Sequence, residues 1–218
     1  MENKFSILLI SDTHGKHKWL EKIHKFPIAD MIIHAGDITS VGDIWEIEPF
    51  LQWYSGLTYE YKIFIAGNHD FGFETNRHTV RSMIPDNVIY LEDSGIEIEG
   101  LNFWGTPVTS PFNNWAFNVE TDKRIEHWNI IPDNTDVLIT HSPPYGIKDI
   151  STYGHEHIGC PYLSAAVKNR IKPKLHVFGH VHSAYGIEEH EGITFVNAAS
   201  LNERYGVDVR QPPILLDI

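Results

Sequence analysis

Side chains that bind metal ions or move protons occur in this sequence in short clusters, each placed after an apolar run. Gly67-Asn-His-Asp70 is one such cluster, and Gly179-His-Val-His182 is another. The full set of candidates is Asp12, His14, Asp37, Asn68, His69, Asp70, His141, His180 and His182. Imidazole, carboxylate and amide groups together suit Mn, Fe, Zn, Mg or Ni ions better than an ion that prefers thiolates. These residues therefore predict a metal site.

Seven of the candidates are more than one structural zinc ion needs, because such an ion takes four ligands. The seven are Asp12, His14, Asp37, Asn68, His141, His180 and His182. They suit two ions that share a bridging group, and Asp37 is the natural bridge because a carboxylate has two oxygens. Two-metal sites hold their ions about 3.5–4 Å apart, clamp a displacement at phosphorus and acidify bound water to a pKa of about 7.

His69 remains free for a separate task beside such ions. Adjacent side chains point in different directions, so His69 can face a substrate while Asn68 faces the metal. In that position it would donate to a phosphoryl oxygen and protonate the departing oxygen. Asp70 or another carboxylate could fix the tautomer of His69, although a turn or cap role is equally consistent with Asp70.

Five apolar runs precede the clusters and predict the strands that position them. Each is four to six residues long and rich in Ile, Leu, Val and Phe, which is typical of a buried strand. The runs lie within residues 4–10, Met31–Ala35, residues 62–66, residues 136–140 and Leu175–Phe178. Helical patterns between them predict parallel pairing in an α/β sheet. Ligands bind at the carboxyl ends of such strands, so we expect all five clusters to gather at one edge.

The helical patterns and the remaining strands complete the expected single domain, residues 1–218. The helix faces are Trp19, Leu20, Ile23 and Phe26; Ile47, Phe50, Leu51 and Tyr54; Ile125 and Trp128 after a cap at Thr121 or Asp122; and Leu163, Ala166, Val167 and Arg170 after Pro161. Residues 96–104, 186–196 and 213–218 alternate or run apolar, which predicts a second sheet.

Composition narrows the class of partner. The 17 basic and 29 acidic residues give a formal charge of −12, which offers no general attraction to nucleic acid or an anionic membrane. The single cysteine, Cys160, cannot form an internal disulfide, and we expect a cytoplasmic protein. No run approaches the roughly 20 apolar residues of a membrane span. A small-molecule substrate is the expected partner, and no stable nucleic acid complex is expected.

The ordered motifs resemble those of the calcineurin-like metallophosphoesterases. They are Asp12-x-His14, Gly36-Asp37, Gly67-Asn-His-Asp70, His141 and Gly179-His-x-His182. The resemblance implies a four-layer α-β-β-α sandwich of two mixed β-sheets flanked by helices. It also implies one ion on Asp12, His14, Asp37 and His182, and a second on Asp37, Asn68, His141 and His180. His69 would assist the leaving group as a metal-bound hydroxide attacks.

Further segments are similar to the small metallophosphoesterase-domain-containing (brain-type) family. They are Asp30-Met-Ile-Ile-His-Ala-Gly-Asp37, Asn114-Trp-Ala-Phe-Asn118, Thr140-His-Ser-Pro-Pro144 and Lys172-Pro-Lys-Leu-His-Val-Phe-Gly-His180. This similarity implies a phosphodiesterase that acts on phosphodiesters, cyclic nucleotides among them, with two divalent ions of which Mn is expected first. The Asp-Arg-Gly of the Ser/Thr phosphatase branch is absent, since Gly36-Asp37 is followed by Ile38-Thr39.

Two alternatives stay open. A phosphomonoesterase would need a cationic donor for a dianionic phosphate, and Arg77, Arg81 and Arg204 are the candidates. A non-catalytic binding module on the same fold would have lost ligands, and none of the seven is missing here.

Other residues receive a structural interpretation. His34 and His176 lie inside apolar runs and are expected to be hydrogen-bonded core histidines, or to support the metal ligands from behind, rather than to be ligands themselves. His17 is expected on a helix surface, with a place in the site as the alternative. Residues 153–157 are expected to form a loop over the site, and residues 112–117 to pack, with substrate contact as the alternative that the resemblance implies. Trp45, Trp53 and Trp115 would either line a base-binding wall or fill the core.

Overall fold

The computed structural model describes residues 5–152 and 154–218. The strands are β1 (Ser6–Ile10), β2 (Met31–Ala35), β3 (Tyr61–Ile65), β4 (Ile89–Tyr90), β5 (Ser94–Ile98), β6 (Leu101–Thr106), β7 (Val137–Thr140), β8 (Leu175–Phe178), β9 (Gly186–His190), β10 (Ile193–Asn197) and β11 (Ile214–Asp217). The helices are α1 (His17–His24), α2 (Ile44–Ser55), α3 (Phe71–Thr75), α4 (Arg77–Ser82), α5 (Thr121–Asn129) and α6 (Pro161–Ala166), which continues as a π-helical turn over Val167–Ile171.

Two mixed sheets form the centre of the molecule. The first has the strand order β11-β1-β2-β3-β4 and the second the order β5-β6-β7-β8-β10-β9. The strands that lead into the motifs pair in parallel, whereas β11, β5 and β9 pair antiparallel at the edges. Each sheet has one face on a shared apolar core and the other under helices. The predicted α-β-β-α sandwich is confirmed.

The alternation of side chains along β2 and β8 explains how each strand contributes to two cores, one between the sheets and one under the helices. Ile33 and Val177 point into the core between the sheets. Ile32 and Phe178, on the opposite faces, pack under the helices. Because both faces are covered, the strands read as continuous apolar runs. None of the helices in the described ranges is long and apolar enough to cross a membrane.

The expectation of one shared sheet edge was wrong. β1, β2 and β3 belong to the first sheet, while β7 and β8 belong to the second. The predicted last strand also differs, since β11 pairs with β1 in the first sheet. A continuous apolar run indicates that a strand is buried on both faces, but it does not indicate which neighbouring strand it pairs with.

Helix α2 buries the predicted face of Ile47, Phe50, Leu51 and Tyr54 against the first sheet. Helix α6 begins at Pro161, as predicted, because proline is tolerated in the first turn.

Helix α1 is different. Leu20 is buried, but Trp19 is 64% and Ile23 41% exposed, so that predicted face was wrong. His17 is also buried rather than on the surface, with its ring 4.6 Å from that of Trp53.

Candidate metal centre

All seven predicted ligands lie together where the carboxyl ends of the two sheets meet. The loops after β1, β2 and β3 carry Asp12, His14, Asp37 and Asn68, and those after β7 and β8 carry His141, His180 and His182. Neither sheet holds a complete set, so the centre exists only because the sheets pack face to face.

One group of ligands, here called the first half, consists of Asp12, His14 and His182. His182 Nε2 lies 3.3 Å from Asp12 Oδ1 and 3.4 Å from His14 Nε2. Their ligand atoms all lie within 4.8 Å of one another. This spacing lets the three side chains contact one ion.

The second half consists of Asn68, His141 and His180. Asn68 Oδ1 lies 3.0 Å from His141 Nε2 and 2.9 Å from His180 Nδ1. Asp37 lies between the halves, with Oδ2 3.3 Å from His141 Nε2 and 3.7 Å from His14 Nε2. That is the position that a bridging carboxylate needs.

Backbone carbonyls fix the orientation of three of the histidine rings. Nδ1 of His14, His141 and His182 lies 3.1, 2.9 and 3.0 Å from the carbonyls of Thr39, Ala35 and Asn202. A carbonyl can only accept, so each Nδ1 carries the proton and each neutral ring turns a bare Nε2 inward. The bare Nε2 atoms of His14 and His182 face each other, which requires a cation or a proton between them. The donor set therefore fits divalent ions.

The charges of the centre point to the same conclusion. Burial alone would lower the pKa of His141, but Asp37 and Asp12 raise it to about 9. Burial opposes ionisation of Asp12 and Asp37, yet His182 and His141 hold the pKa values of these carboxyls below their usual range. Without a metal, protons on the imidazoles balance two buried carboxylates. Metal binding must displace such protons.

The loops that carry the ligands have an unusual backbone. Asp12, His14, Asp37 and His180 have positive φ angles of 53°, 41°, 56° and 70°. Non-glycine residues avoid this region, and strain of this kind concentrates at functional sites. The Asp12 carboxylate accepts the His180 N–H at 3.0 Å, and Asp37 Oδ1 accepts the His69 N–H at 2.8 Å. Hydrogen bonds between the loops thus hold the strained turns.

Glycine is required beside two of these carboxylates. A Cβ atom on Gly67 would collide with Asp37 Oδ1, and one on Gly179 would collide with Asp12 Oδ2. The backbone of the motifs therefore lies directly against the carboxylates.

His69 lies beside the centre and faces the open cleft. Its Nδ1 donates to the Ser40 carbonyl at 2.7 Å, which leaves Nε2 as the other functional nitrogen. Its ring stacks on Trp115, with centroids 4.1 Å apart. A ligand atom of His69 is also within 4.8 Å of those of His14 and Asp37, so distance alone would admit it as a ligand. The expectation that a carboxylate orients His69 was wrong, because the Ser40 carbonyl accepts the hydrogen bond from its Nδ1 instead.

Asp70 braces the loops. Its carboxylate accepts four hydrogen bonds, from the N–H groups of Ile38, Thr39 and Gly67 and from Thr39 Oγ1, at 2.6–3.1 Å. Burial and the nearby Asp37 charge raise the pKa of Asp70 to about 7, while these donors act in the opposite direction. The turn role is therefore the one that the contacts support.

Asp70→Asn should destabilise the fold by about 2–4 kcal/mol, because an amide NH₂ would face N–H donors and leave a buried donor unpaired. Urea unfolding of the metal-free protein measures this loss. Asp86→Asn, at an exposed carboxylate, is the control. A change of less than about 0.5 kcal/mol, typical of a surface site, would contradict the bracing role.

The family follows from comparison with known proteins. The model of the calcineurin-like phosphoesterase family matches residues 5–184. The chain belongs to this family. Metallophosphoesterase domain-containing protein 1 of Homo sapiens is 35% identical over 96% of this chain and 69% of its own length. A UPF0046 protein of Caenorhabditis elegans is 36% identical over 100% of this chain and 82% of its own. The resemblance to the small metallophosphoesterase-domain-containing proteins is confirmed.

A solved structure shows the same fold at low sequence identity. The phosphopantetheinyl hydrolase of Mycobacterium tuberculosis aligns with a TM-score of 0.63 at 15% identity, over 100% of this chain and 97% of that chain. The calcineurin-like phosphoesterase family supports hydrolysis of a phosphoester as the class of reaction.

A cleft of about 650 Å³ opens onto the metal centre of this phosphoesterase. Its apolar wall is formed by Pro111, Phe112, Trp115, Ile158 and Tyr205, and its polar wall by Ser110, Ser151 and Glu156. Among the described residues, no lysine or arginine lines it. Residues 112–117 divide between the two expected roles, since Ala116 and Phe117 pack while Phe112 and Trp115 face the cleft.

Ser110 and Tyr205 were not predicted from the sequence to line the cleft. The Tyr205 ring lies 4.8 Å from His14 and 5.1 Å from His182. A short loop holds it there, in which Asn202 Oδ1 accepts the Gly206 N–H at 3.0 Å. No sequence motif marks this loop. Its role is visible only in three dimensions, through the Asn202 carbonyl that orients the His182 ring.

The remaining candidates lie elsewhere. Arg77 and Arg81 form ion pairs with Glu92. Arg204 lines a neighbouring depression rather than the cleft.

Trp53 fills the core, whereas Trp45 is exposed. In the predicted loop over the site, Glu156 lines the cleft and His157 Nδ1 contacts Asp149 at 2.6 Å. Tyr153 falls outside the described residues.

Proposed function

We propose that this chain is a phosphodiesterase with two divalent metal ions, Mn²⁺ being expected first. The observation that carries the proposal is the position of Asp37 between two complete halves of a ligand set, beside an open cleft. Two ions bound there supply an acidified water and positive charge for the oxygens on phosphorus. Asp12, His14, Asp37 and His182 would hold one ion, and Asp37, Asn68, His141 and His180 the other.

His69 is the group that acts on the substrate in this proposal. The Ser40 carbonyl holds Nδ1–H, so a protonated His69 presents its Nε2–H to the cleft. There it donates to an oxygen on phosphorus and then transfers that proton to the departing alkoxide. Trp115 restrains the ring by stacking, which keeps the donor in place between turnovers.

The cleft favours a diester over a monoester. A terminal phosphate is a dianion and calls for a cationic partner, yet the described lining contains no lysine or arginine and includes the acidic Glu156. A diester carries one negative charge fewer and has a second ester group. The aromatic wall of Phe112, Trp115 and Tyr205 fits an apolar or flat group of that kind, a nucleobase among them.

The test is to strip the protein with a chelator and to assay bis(p-nitrophenyl) phosphate against p-nitrophenyl phosphate with Mn²⁺, Mg²⁺, Zn²⁺ or Ni²⁺ restored. We expect metal-dependent hydrolysis with kcat/KM at least about tenfold higher for the diester, a difference of about 1.4 kcal/mol in transition-state binding. Faster turnover of the monoester would replace the proposal with a phosphomonoesterase. Two bound ions without turnover of either ester would favour a binding module.

A further inference from the structure

Two buried histidines outside the ligand set occupy equivalent places in the two sheets. His34 lies on β2 and contacts Thr13 Oγ1 through Nε2 at 2.9 Å. His176 lies on β8 and contacts Thr140 Oγ1 through Nε2 at 2.9 Å. The register of the parallel pairs places Ile10 of β1 opposite His34 and Leu138 of β7 opposite His176. His34 reaches Thr13 in the loop after β1, and His176 reaches Thr140 at the end of β7.

Each threonine adjoins metal ligands. Thr13 stands between Asp12 and His14, both of which have a left-handed backbone. Thr140 precedes His141, and its hydroxyl also donates to the Ser142 carbonyl at 2.7 Å, so its hydrogen bonds span the ligand. Each histidine therefore ties a ligand turn to the adjacent strand.

The hydrogen bonds define the state of His176. The Thr140 hydroxyl has one proton, and the Ser142 carbonyl takes it, so the hydroxyl can only accept from the ring. His176 consequently carries its proton on Nε2. The resulting chain runs from His176 through Thr140 to Ser142 and fixes the turn on both sides of His141.

Packing alone does not account for either histidine. Both are fully buried, and each leaves Nδ1 without a hydrogen-bond partner among the described residues. An unpartnered buried polar atom costs about 1–3 kcal/mol. The surroundings are aromatic, with Phe50 beside His34 and Phe178 and Phe195 beside His176. A leucine would fill either place at lower cost, so the Nε2 contacts are the feature that a histidine supplies.

We propose that His34 and His176 are positioning residues, each of which sets the affinity of one half of the metal centre. His34 acts through Thr13 on the first half, and His176 acts through Thr140 on the second half. The inference rests on the two-metal centre of the proposed function, but it concerns metal binding and does not depend on which phosphoester is hydrolysed.

The test measures stepwise Mn²⁺ and Co²⁺ binding by calorimetry, together with the electron paramagnetic resonance signal of the Mn²⁺ pair. His176→Leu should weaken one ion about 10–100-fold, the range seen when partners behind metal ligands are removed, and should replace the coupled signal with that of a single ion. His34→Leu should do the same to the other ion. His34→Gln and His176→Gln, whose amide N–H can reach the threonine, should restore most of the affinity.

Two comparisons separate positioning from packing. Ile32→Val and Phe178→Leu lie on the same strands and the same buried faces, and they should lower the melting temperature while leaving both affinities within about threefold. In the His141→Ala variant, which has already lost the second half, His176→Leu should weaken metal binding little further. In the His14→Ala variant, His176→Leu should remove the remaining ion, because the effects of substitutions at coupled sites are not additive.

Four results would overturn the positioning role, the metal centre or the proposed function. Equal weakening of both ions in each leucine variant, or a lower melting temperature with unchanged affinities, would overturn the positioning role alone. A wild-type chain that binds no metal would overturn the metal centre and the positioning role together. Two bound ions without phosphoester hydrolysis would overturn only the proposed function.

Discussion

Asp37→Asn should lower kcat/KM for a phosphodiester about 1000-fold or more, equivalent to about 4 kcal/mol of transition-state stabilisation. The Asp37 carboxylate contacts the imidazole of a histidine in each half, at 3.7 Å from His14 and 3.3 Å from His141. The asparagine oxygen can still accept the His69 N–H, so the loop keeps its hydrogen bond. What is lost is a buried negative charge shared by both halves, and we expect both ions to bind more weakly.

Asp12→Asn is the matched control, because Asp12 contacts His182 of the first half and the His180 backbone. It should weaken mainly one ion. Metal content after dialysis, followed by titration, measures both variants. If Asp37→Asn retained two tightly bound ions and a nearly normal rate, Asp37 would not be the bridge.

His69→Ala should lower kcat about 10²–10⁴-fold for diesters with alkyl leaving groups, because a positioned general acid contributes about that much. The loss should be smaller for p-nitrophenol, which departs without a proton. Metal content should stay at the wild-type level. A series of leaving groups of rising pKa, assayed at saturating Mn²⁺, measures the dependence of kcat on the leaving group.

The same variant decides between the two roles that the distances allow for His69, which lies near His14 and Asp37. Loss of an ion from His69→Ala, as expected for the comparison variant His14→Ala, would make His69 a ligand. An equal loss of rate across all leaving groups would remove the general-acid role and leave only charge stabilisation.

The sequence was sufficient to identify the residues that gather at the candidate metal centre, because each follows a run that is buried on both faces. Such runs can be recognised in the sequence without knowing which strands they pair with. The structure gives the predicted bounds for two of them, Met31–Ala35 and Leu175–Phe178. The interpretation of His34 and His176 as hydrogen-bonded core residues was also confirmed, since both lie inside such runs.

The remainder depends on contacts that are distant in the chain. Strand β11 pairs with β1 across almost the whole sequence, and no local pattern encodes that choice. His17 lies on a short helix with lysines on either side, and the approach of Phe50 and Trp53 buries it. Tyr205 reaches the cleft on a loop whose shape is set by hydrogen bonds such as those of Asn202. Sequence periodicity contains no information on such loops.

The division of the centre between two sheets also sets when it can form during synthesis of the chain. His14 and His182 are 168 residues apart in sequence, and a ribosome needs roughly 10–30 s to add that many residues. Once Asn68 has been added, the loops after β1, β2 and β3 carry their candidate ligands, but His180 and His182, which complete the two halves, are still to be synthesised. Contacts this distant are also slow to form. The candidate metal centre can therefore be complete only after synthesis of the chain has passed His182.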